Sequence, residues 1–596
     1  MGADAVKKSC DDTECGCTPN AAACPVPSPE HPRRLLRVCL ASAVVALILF
    51  GLPHLVGSPL PKERQLAFVW MVATLFGIGS CYSVFPFPEA TKSRFIPDAA
   101  FFLAAFAVLG GSLIRFYALD FDFPHFYHPD EARKSGVILR MIKGDTLDPG
   151  YFLHPSLLLY SALFVSKVLT FLGVEFAKDS FLAVYSGRIV SAFLGSVSII
   201  LVYAIGSKAF SRMSGAFAAA LLAFLPLHVT CSRYMKEDII FSTFGLLSLV
   251  FVLNYLRSAR SRDLLIASFI GGISMGSKYT GVLSSLFIAL APVLLLGGQA
   301  FSKRTVLLLA KCGAFFALAF LLCSPFSILN FDKFAHDFVA EGSHVVRGHG
   351  GISIPAWGEL FTYHLDRSIM AGATPYVVLI GLFGAGVLWT RRRREDLLIL
   401  FGIVLFYLAA ELIKAKPMPQ PERYILPVLA FLSLAGAEGL RAIWCRTCIS
   451  WWAIGALLIA SPMVRSIDLA SELQDDTRLK SARWITENLP KRARVMLIGE
   501  VKYLPRISQV RFKQKMTGAE RGRDRIGVDA LRQSESKYIV TTSLSYDRFL
   551  LQPNADPVLK EIFLSYDREF ELLKEIRPRF GSYGFHNPTI KIYRIR

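Results

Sequence analysis

The sequence predicts a polytopic α-helical membrane protein with a small α/β domain at its carboxyl end. Hydrophobic residues make up 53% of the 596 residues and charged residues only 19%, against about 25% charge in ordinary soluble domains. Apolar runs of roughly 17 to 23 residues recur, and each can cross a hydrocarbon core about 30 Å thick. Beyond about residue 466 the composition becomes more polar, and strand-like segments alternate with helical ones. These observations exclude a soluble enzyme and a disordered chain.

The apolar runs predict about thirteen membrane spans. Their approximate bounds are 36–57, 66–86, 98–119, 183–206, 214–231, 239–256, 264–277, 280–298, 305–325, 369–389, 397–413, 424–441 and 449–465. A further apolar segment, 156–173, carries Lys167. If this segment lies along the membrane surface, about twenty Lys and Arg residues of the short loops fall on the inner side and about eight on the outer side. The positive-inside rule favours this arrangement, so we predict an interfacial helix there and a cytoplasmic amino terminus.

This topology divides the chain into three parts. Residues 1–34 form a polar, proline-containing cytoplasmic tail that we predict to be disordered. Residues 35–465 form the transmembrane domain, with two large outer loops at 120–182 and 326–368. Residues 466–596 form an extracytoplasmic α/β domain. The loop 326–368 is rich in His, and its interpretation as a lid or as a solvated loop stays open.

The charge balance and the cysteines are consistent with a membrane protein that binds neither nucleic acid nor a metal ion. The formal net charge of +20 is attributed first to loops held in the cytoplasm, because no basic helix or zinc-finger spacing points to nucleic acid. The four cysteines of the tail lack paired CxxC units and His partners, so a reduced tail is favoured over a metal site. We predict no cofactor, and the sequence supports no divalent metal.

Two adjacent carboxylates, Asp130 and Glu131, follow a proline in the first large outer loop. Acidic groups at the end of a span are costly next to lipid and commonly mark function. A carboxylate there can act as a general base toward a hydroxyl, with Arg133 and Lys134 helping to keep it ionised. Alternatively, the two carboxylates cap and solvate the helix that follows. The spacing alone does not separate these interpretations.

Several cations recur at the predicted outer face. Arg233, Lys278 and Arg423 each lie in or beside a short outer turn. Singly, each is explained as a snorkelling side chain; together they can clamp a phosphate, Arg bidentately and Lys as a point charge. His154, where the chain enters the interfacial segment, is a further candidate for phosphate contact, with helix capping as the alternative.

A zinc site is the competing interpretation of the first outer loop. His125, His128 and Glu131 have loose metal-ligand spacing, but the sequence holds no HExxH motif and no second pair of ligands. We therefore assign no metal ligand.

These residues resemble the C-type (GT-C) glycosyltransferase superfamily, specifically the membrane glycosyltransferases of family 39. That family includes the protein O-mannosyltransferases and the aminoarabinose transferases of lipid A. The matching features are the Asp130–Glu131 pair, Arg233 with Asp238 five residues later, Lys278 within SKYTG, and RYILP from Arg423. The chain departs from the aminoarabinose transferases at 153–156, where it has Leu-His-Pro-Ser.

The resemblance implies an inverting transfer of one sugar from a polyprenyl-phosphate donor to a lipid, glycan or protein acceptor on the extracytoplasmic face. Asp130 is then the general base and Glu131 its support. The implied donor-phosphate ligands are Arg233, Lys278, Arg423 and His154, and the implied cavity-lining residues are Asp238, Tyr279 and Tyr424. A bacterial inner membrane is the implied location, because SLSYDR (543–548) and GFHNP (584–588) resemble the carboxyl-terminal domain of bacterial members.

Two other function classes compete with this one. A secondary transporter would show inverted repeats and charges near mid-membrane, whereas the charges here cluster at one predicted face. A scaffold in an envelope complex would leave the aligned outer-face cations unexplained. Neither alternative involves nucleic acid.

Overall fold

The computed structural model describes residues 98–347, 363–413, 421–447, 451–519, 522–551, 555–579 and 585–595. The predicted tail and the predicted spans 36–57 and 66–86 lie outside the described residues. Residues Ala99–Arg596 form one unit, and everything below concerns that unit.

Helices dominate as far as residue 472. They are α1 Ala99–Phe116, α2 Pro129–Lys143, α3 Leu157–Phe171, α4 Asp179–Ala209, α5 Arg212–Phe224, α6 Pro226–Cys231, α7 Glu237–Ser258, α8 Ser261–Ser277, α9 Ser284–Leu296, α10 Lys303–Cys323, α11 Phe326–Leu329, α12 Phe331–Arg347, α13 Met370–Ala373, α14 Pro375–Arg391, α15 Arg394–Leu412, α16 Leu426–Thr447 and α17 Trp451–Glu472. Short 3₁₀ helices at Tyr279–Leu283 and Pro421–Ile425 lead into α9 and α16.

Seven helical segments of the described chain are long and apolar enough to cross a membrane. They are Ala99–Phe116, Asp179–Ala209, Glu237–Ser258, Tyr279–Phe301, Lys303–Cys323, Glu422–Ile443 and Ile454–Asp475. The polytopic helical class is therefore confirmed. The count of thirteen spans stays a prediction, because several other predicted spans correspond to shorter apolar helices such as α5 and α14.

Charged side chains gather at the two ends of these helices. At one end, Asp238 lies in the first turn of α7. At the opposite end of α7, Arg257 donates to the carbonyl oxygen of Lys208 in α4. Near that same end, Arg391 forms ion pairs with Asp396 (2.6 Å) and with another buried carboxylate. Charges therefore flank the apolar bundle, as expected for helices that end at two polar interfaces.

The segment predicted to lie along the interface forms α3. Its 15 residues span about 22 Å at 1.5 Å per residue, which is too short for a hydrocarbon core about 30 Å thick. One face packs inward, while Phe164 and Phe171 are 69% and 89% exposed. Its length fits the predicted interfacial helix, and its position relative to a membrane stays a prediction.

The carboxyl-terminal part is a small α/β domain built on a five-stranded sheet of order β2-β1-β3-β5-β4. Its elements are α18 Thr477–Asn488, β1 Arg494–Ile498, β2 Lys513–Thr517, α19 Arg523–Ile526, α20 Val528–Gln533, β3 Tyr538–Thr542, α21 Ser543–Leu550, α22 Pro557–Glu569, β4 Glu571–Ile576 and β5 Ile590–Arg594. Strands β1, β2 and β3 are parallel, and β5 runs antiparallel to both β3 and β4.

Two apolar layers cover this sheet. The larger packs α22 on one face through Leu559 and Phe563, and the smaller packs α18 on the other through Ile485. The predicted helices and the three predicted strands are confirmed, at β1, β3 and β5. Strands β2 and β4 were not predicted from the sequence.

Candidate functional site

The first outer loop brings the acidic pair to the start of α2. Pro129 occupies the first helical turn, where its missing N–H costs nothing. His128 is the N-cap, and its Nδ1 accepts from the backbone N–H of Asp130 at 3.2 Å. Both carboxylates therefore lie in the first turn, at the end of the helix where the backbone dipole favours negative charge.

A fully buried arginine of α4 fixes this turn. Arg188 Nε donates to Glu131 Oε1 at 2.9 Å and Nη2 to Oε2 at 2.6 Å. Nη2 also donates to Asp122 Oδ1 at 2.8 Å, and Nη1 donates to the carbonyl oxygen of Leu119. Glu131 Oε1 accepts a third bond, from the backbone N–H of Met235 at 2.8 Å. Both carboxylate oxygens of Glu131 thus accept hydrogen bonds from groups within the protein.

We expect Glu131→Gln to destabilise the fold. The amide keeps one oxygen but loses a charged acceptor for the Arg188 guanidinium, and its NH₂ group then faces a donor. Arg188 keeps its ion pair with Asp122, so the cost is that of a lost charge-assisted hydrogen bond, roughly 1.5–3 kcal/mol. The midpoint of thermal unfolding in detergent should fall by several degrees, whereas Asp130→Asn should leave it nearly unchanged. A Glu131→Gln variant as stable as the native chain, yet inactive, would instead favour a direct catalytic role for Glu131.

A chain of alternating charges lies beside Asp130. Its carboxylate forms an ion pair with Lys236 and lies 3.8 Å from Arg423 Nη1. Arg423 Nε lies 3.9 Å from Asp238 Oδ2, and Asp238 Oδ1 accepts from Lys278 Nζ at 2.5 Å. We call these five residues the charge cluster. It joins α2, the start of α7, the α8–α9 turn and the start of α16.

The charge cluster holds three cations and two carboxylates, so it carries one net positive charge. Asp130 is the more accessible of its two acids, with its side chain 32% exposed against 2% for Asp238. Burial favours the neutral form of Asp130, but the nearby cations, Lys236 foremost, outweigh it and hold the pKa of that carboxyl well below its ordinary value. The cluster can therefore accept one further negative charge beside an ionised carboxylate.

An apolar crevice continues from the charge cluster between α7, α9, α15 and α16. Its lining residues are Phe241, Ser242, Gly245, Leu246, Leu249, Ser284, Phe287, Phe406, Pro427 and Phe431. The Lys278 ammonium lies 5.6 Å from the Phe241 ring at the mouth of the crevice and 5.2 Å from the Tyr424 ring. Arg423 also faces the Tyr424 ring, at 5.3 Å. The charge cluster thus lies beside a narrow apolar pocket whose lining side chains are mostly buried.

The structure brings together Asp130, Asp238, Lys278, Arg423 and Tyr424, five of the nine predicted site residues. Their roles stay predictions. Tyr279 lies next to Lys278 in the chain and donates its hydroxyl to the carbonyl oxygen of Phe152 at 2.7 Å. The charged groups that act on His154 include Glu237 and Lys134, the ion pair adjoining the cluster.

Arg233 takes a different position. It is buried, and its Nη2 donates to the carbonyl oxygen of Tyr117 at 2.6 Å. Its guanidinium lies 5.3 Å from the Phe121 ring, and its Nε and Nη1 have no hydrogen-bond partner among the described residues. No ion pair joins Arg233 to the cluster within the described part of the chain, so its predicted phosphate contact receives no support from the geometry.

Lys236 is the functional candidate that sequence analysis missed. It lies in the same outer turn as Arg233, three residues closer to α7. The available signal was its position directly before the helix that begins with Glu237 and Asp238. The resemblance drew attention to Arg233 instead.

The carboxyl-terminal domain completes the wall of the site. His586 lies 3.0 Å from Asp122 Oδ2 through its Nε2 and 2.6 Å from the Tyr234 hydroxyl through its Nδ1. The Arg478 guanidinium lies 3.5 Å from the centre of the Tyr127 ring. Burial opposes ionisation of Asp122, but Arg188 and His586 hold its pKa well below the ordinary value. The loop that carries Asp130 is therefore held from the helical side and from the α/β domain.

The competing zinc site is not formed by the described residues. No group of three His, Cys, Asp or Glu side chains among them comes together in a way that could hold a metal ion. His128 is buried as the N-cap of α2, and Glu131 is bound by Arg188.

Comparisons with known proteins agree with the resemblance. Residues 170–328 match the family model described as dolichyl-phosphate-mannose-protein mannosyltransferase. This segment includes Asp238 and Lys278 but neither Asp130 nor Arg423. The match confirms the resemblance to membrane glycosyltransferases of the GT-C superfamily. No curated protein sequence matches significantly.

Several solved structures align with this chain at low sequence identity. ArnT from Cupriavidus metallidurans bound to undecaprenyl phosphate aligns at 14% identity over 82% of this chain and 97% of its own, with a TM-score of 0.46. The Archaeoglobus fulgidus oligosaccharyltransferase in complex with Zn and sulfate aligns at 13% identity over 81% and 73%, with a TM-score of 0.47. The Saccharomyces cerevisiae Pmt1–Pmt2 complex aligns at 20% identity over 40% and 35%, with a TM-score of 0.32.

Proposed function

We propose that this chain is a membrane glycosyltransferase that moves one sugar, with inversion, from a polyprenyl-phosphate-linked donor to an acceptor on the extracytoplasmic face. Asp130 is the general base. Arg423 and Lys278, joined by Lys236, bind the donor phosphate. The acceptor is a lipid, glycan or protein that presents a nucleophile such as a hydroxyl, and no metal or other cofactor takes part in this proposal.

The charge cluster carries the proposal. Three cations held by two carboxylates have one net positive charge, which matches the single negative charge of a sugar phosphodiester. The walls of the apolar crevice below Lys278 are largely aromatic and aliphatic, as a prenyl tail requires, and these side chains would have to move apart to admit it, because they almost fill the crevice. The matching family model also names a dolichyl-phosphate-linked sugar. A headgroup and a tail therefore find complementary surfaces side by side.

The proposed step is a single displacement at the anomeric carbon. The acceptor oxygen forms the new bond to that carbon while the bond from carbon to phosphate oxygen breaks. The proton of the acceptor passes to Asp130 Oδ2 or Oδ1 and then to solvent, and polyprenyl phosphate leaves with the electron pair. Arg423 and Lys278 stabilise the charge that grows on the leaving phosphate, which is where preorganised cations contribute most.

Donor binding would also activate the base. In the structure Lys236 and Arg423 both hold Asp130 in its ionised form, which weakens it as a proton acceptor. A bound phosphate competes for the same cations and so raises the pKa of the Asp130 carboxyl. The base thus becomes stronger when the leaving group is in place.

We expect Lys236→Met to shift the pH dependence of transfer. The acid limb of kcat/KM reports the free enzyme's essential base, and the pKa of Asp130 lies below its ordinary value because nearby cations, mainly Lys236, outweigh burial. A lowered pKa keeps the carboxylate ionised to lower pH, so removal of the lysine moves the acid limb to higher pH. An unchanged acid limb, measured against Lys236→Arg as the charge-preserving control, would contradict Asp130 as the base.

A secondary transporter remains the alternative class, with an envelope scaffold behind it. The charge cluster and the Arg391–Asp396 ion pair lie at the ends of helices rather than midway along them, which favours the enzyme. The deciding experiment is mass spectrometry of lipids and glycans from cells with and without the gene. A glycan or lipid lacking one sugar in the deletion strain supports transfer, and unchanged profiles with altered uptake of a solute support transport.

A further inference from the structure

The connection after β1 reaches from the α/β domain to the loop that carries Asp130. We call residues 499–506 the roof loop. The carbonyl oxygen of Lys502 accepts from Arg478 Nη1 at 2.6 Å, and that guanidinium stacks on Tyr127. The Tyr503 ring stacks on Phe585 with 5.8 Å between centroids. The roof loop is therefore fixed next to the first outer loop.

A second contact series confirms this placement. The Phe585 ring lies 4.8 Å from the His128 ring, and His128 caps the helix turn of Asp130. The charged groups that act on the Lys502 ammonium are Asp130, Arg133, Glu500 and Arg506. The side chains of the roof loop thus lie within electrostatic range of the proposed base.

Three of these charges are cations that have no carboxylate of their own. Arg133, Lys502 and Arg506 form no ion pair within the described ranges of the chain, and Asp130 is already engaged by Lys236 and Arg423. Glu500 offsets one of the three positive charges. Lys502 is half-buried, and this burial is the largest of the effects that lower the pKa of its ammonium. Arg133 and Arg506 are exposed, so the three cations form a surface patch with an excess of positive charge, and such a patch attracts anionic ligands.

This second group of cations is separate from the charge cluster. The strongest charges acting on Lys236 are Arg423, Asp130, Glu237 and Asp238, and the strongest acting on Lys502 come from the roof loop and α2. Asp130 is the one member common to both sets. The base therefore has one group of cations on its membrane side and another on the side of the α/β domain.

We infer that Arg133, Lys502 and Arg506 form a subsite for a phosphate group of the acceptor, close to the hydroxyl that Asp130 deprotonates. The inference rests on the proposed function and adds the chemical class of the acceptor. Two arginines and a lysine suit a phosphate, which arginine binds bidentately and lysine as a point charge. Their net excess of two positive charges, after Glu500 is counted, matches a phosphate monoester.

The test is calorimetric titration of the full chain in phosphatidylcholine nanodiscs with glucose 6-phosphate, and with glucose as the neutral control. Saturating undecaprenyl phosphate is present throughout, so that the donor-phosphate site is filled and no sugar is available for turnover. Glucose 6-phosphate is expected to bind and glucose is not. The double variant Lys502→Gln/Arg506→Gln should bind glucose 6-phosphate about tenfold more weakly or worse, since two charge-assisted hydrogen bonds are lost.

Two matched variants separate binding from folding. Lys513→Gln/Lys515→Gln removes the same charge from the exposed edge strand β2 and should bind as the native chain does. Lys502→Arg/Arg506→Lys keeps the charge and should retain most of the affinity. Equal weakening in the edge-strand variant, or equal binding of glucose and glucose 6-phosphate, overturns the subsite.

Addition of phosphatidic acid, a membrane lipid that carries a phosphate monoester, to the nanodiscs identifies the source of the phosphate. Competition with glucose 6-phosphate assigns the subsite to the headgroup of a membrane lipid acceptor, and absence of competition assigns it to a phosphorylated saccharide. Because binding needs no turnover, intact binding without any sugar transfer would refute the proposed function alone. Intact transfer without phosphate binding would refute the subsite alone.

Discussion

Asp130→Asn is expected to reduce sugar transfer by about a hundredfold or more, since a positioned general base contributes roughly 10²–10⁴ to the rate. The amide keeps the size and the helix-start position of Asp130 but cannot accept the acceptor's proton. The measurement is product formation by membranes that contain equal amounts of inserted protein. Insertion should match the native chain and thermal stability should fall little, because the Asp130 side chain is partly exposed, the amide oxygen can still accept from Lys236, and Arg423 keeps its contact with Asp238.

Asp145→Asn is the matched control for this variant. Asp145 lies in the same outer loop, is exposed, and has a positive φ of 45° that Asn also tolerates. It should retain native activity. Near-native turnover by Asp130→Asn would contradict the assignment of the base, and equal losses in both variants would point to a general sensitivity of the loop.

Arg423→Ala is expected to impair the use of the donor more than the use of the acceptor. The guanidinium lies between Asp130 and Asp238 at 3.8 and 3.9 Å, where a phosphate can replace these weak contacts. Loss of one charge-assisted phosphate contact is worth about 1.5–3 kcal/mol, or roughly tenfold to a hundredfold in the KM for the donor. The measurement varies donor and acceptor concentrations separately. Arg423→Lys should recover part of the loss.

Arg394→Ala serves as the control at the opposite end of the helical bundle. Arg394 is exposed at the start of α15 and forms no ion pair within the described residues. Its removal should change neither KM. If Arg423→Ala raised both KM values equally, Arg423 would be supporting the fold of the site rather than contacting the phosphate.

The class of fold was predictable because membrane helices and buried strands need apolar residues, and these residues are visible in the sequence. Strands β1 and β3 are runs of apolar, β-branched residues and were recognised. Strand β2, with sequence KQKMT, lies at an edge and is largely exposed, so it needs few apolar residues. In strand β4, with sequence ELLKEI, apolar and polar residues do not alternate, and a bulge interrupts its pairing with β5. Neither shows the alternation on which sequence analysis depends.

Sequence analysis identified several residues of the site, but it did not identify which residues contact one another. Asp130, Lys278 and Arg423 were selected from three distant segments, and the structure brings them into one cluster through Asp238. The choice of Arg233 over Lys236 could not be made from sequence, because both cations lie in one turn and only backbone direction decides which reaches Asp130. The burial of Glu131 was equally hidden, since its partner Arg188 lies 57 positions away.

The contribution of the α/β domain was hidden for the same reason. The bond between His586 and Asp122 joins residues 464 positions apart, and no local sequence pattern predicts that these two residues are in contact. Short-range periodicity reports which face of an element is buried but not what it is buried against. Residues of the roof loop were therefore absent from the predicted site.

The most direct test is an experimental structure of the full chain with undecaprenyl phosphate bound in nanodiscs. The account predicts the phosphate within hydrogen-bonding distance of Arg423 and Lys278, next to the Asp130 carboxylate, with the first isoprene units entering the crevice lined by Phe241 and Phe431. A phosphate held at Arg233, or on any surface away from the charge cluster, would contradict it.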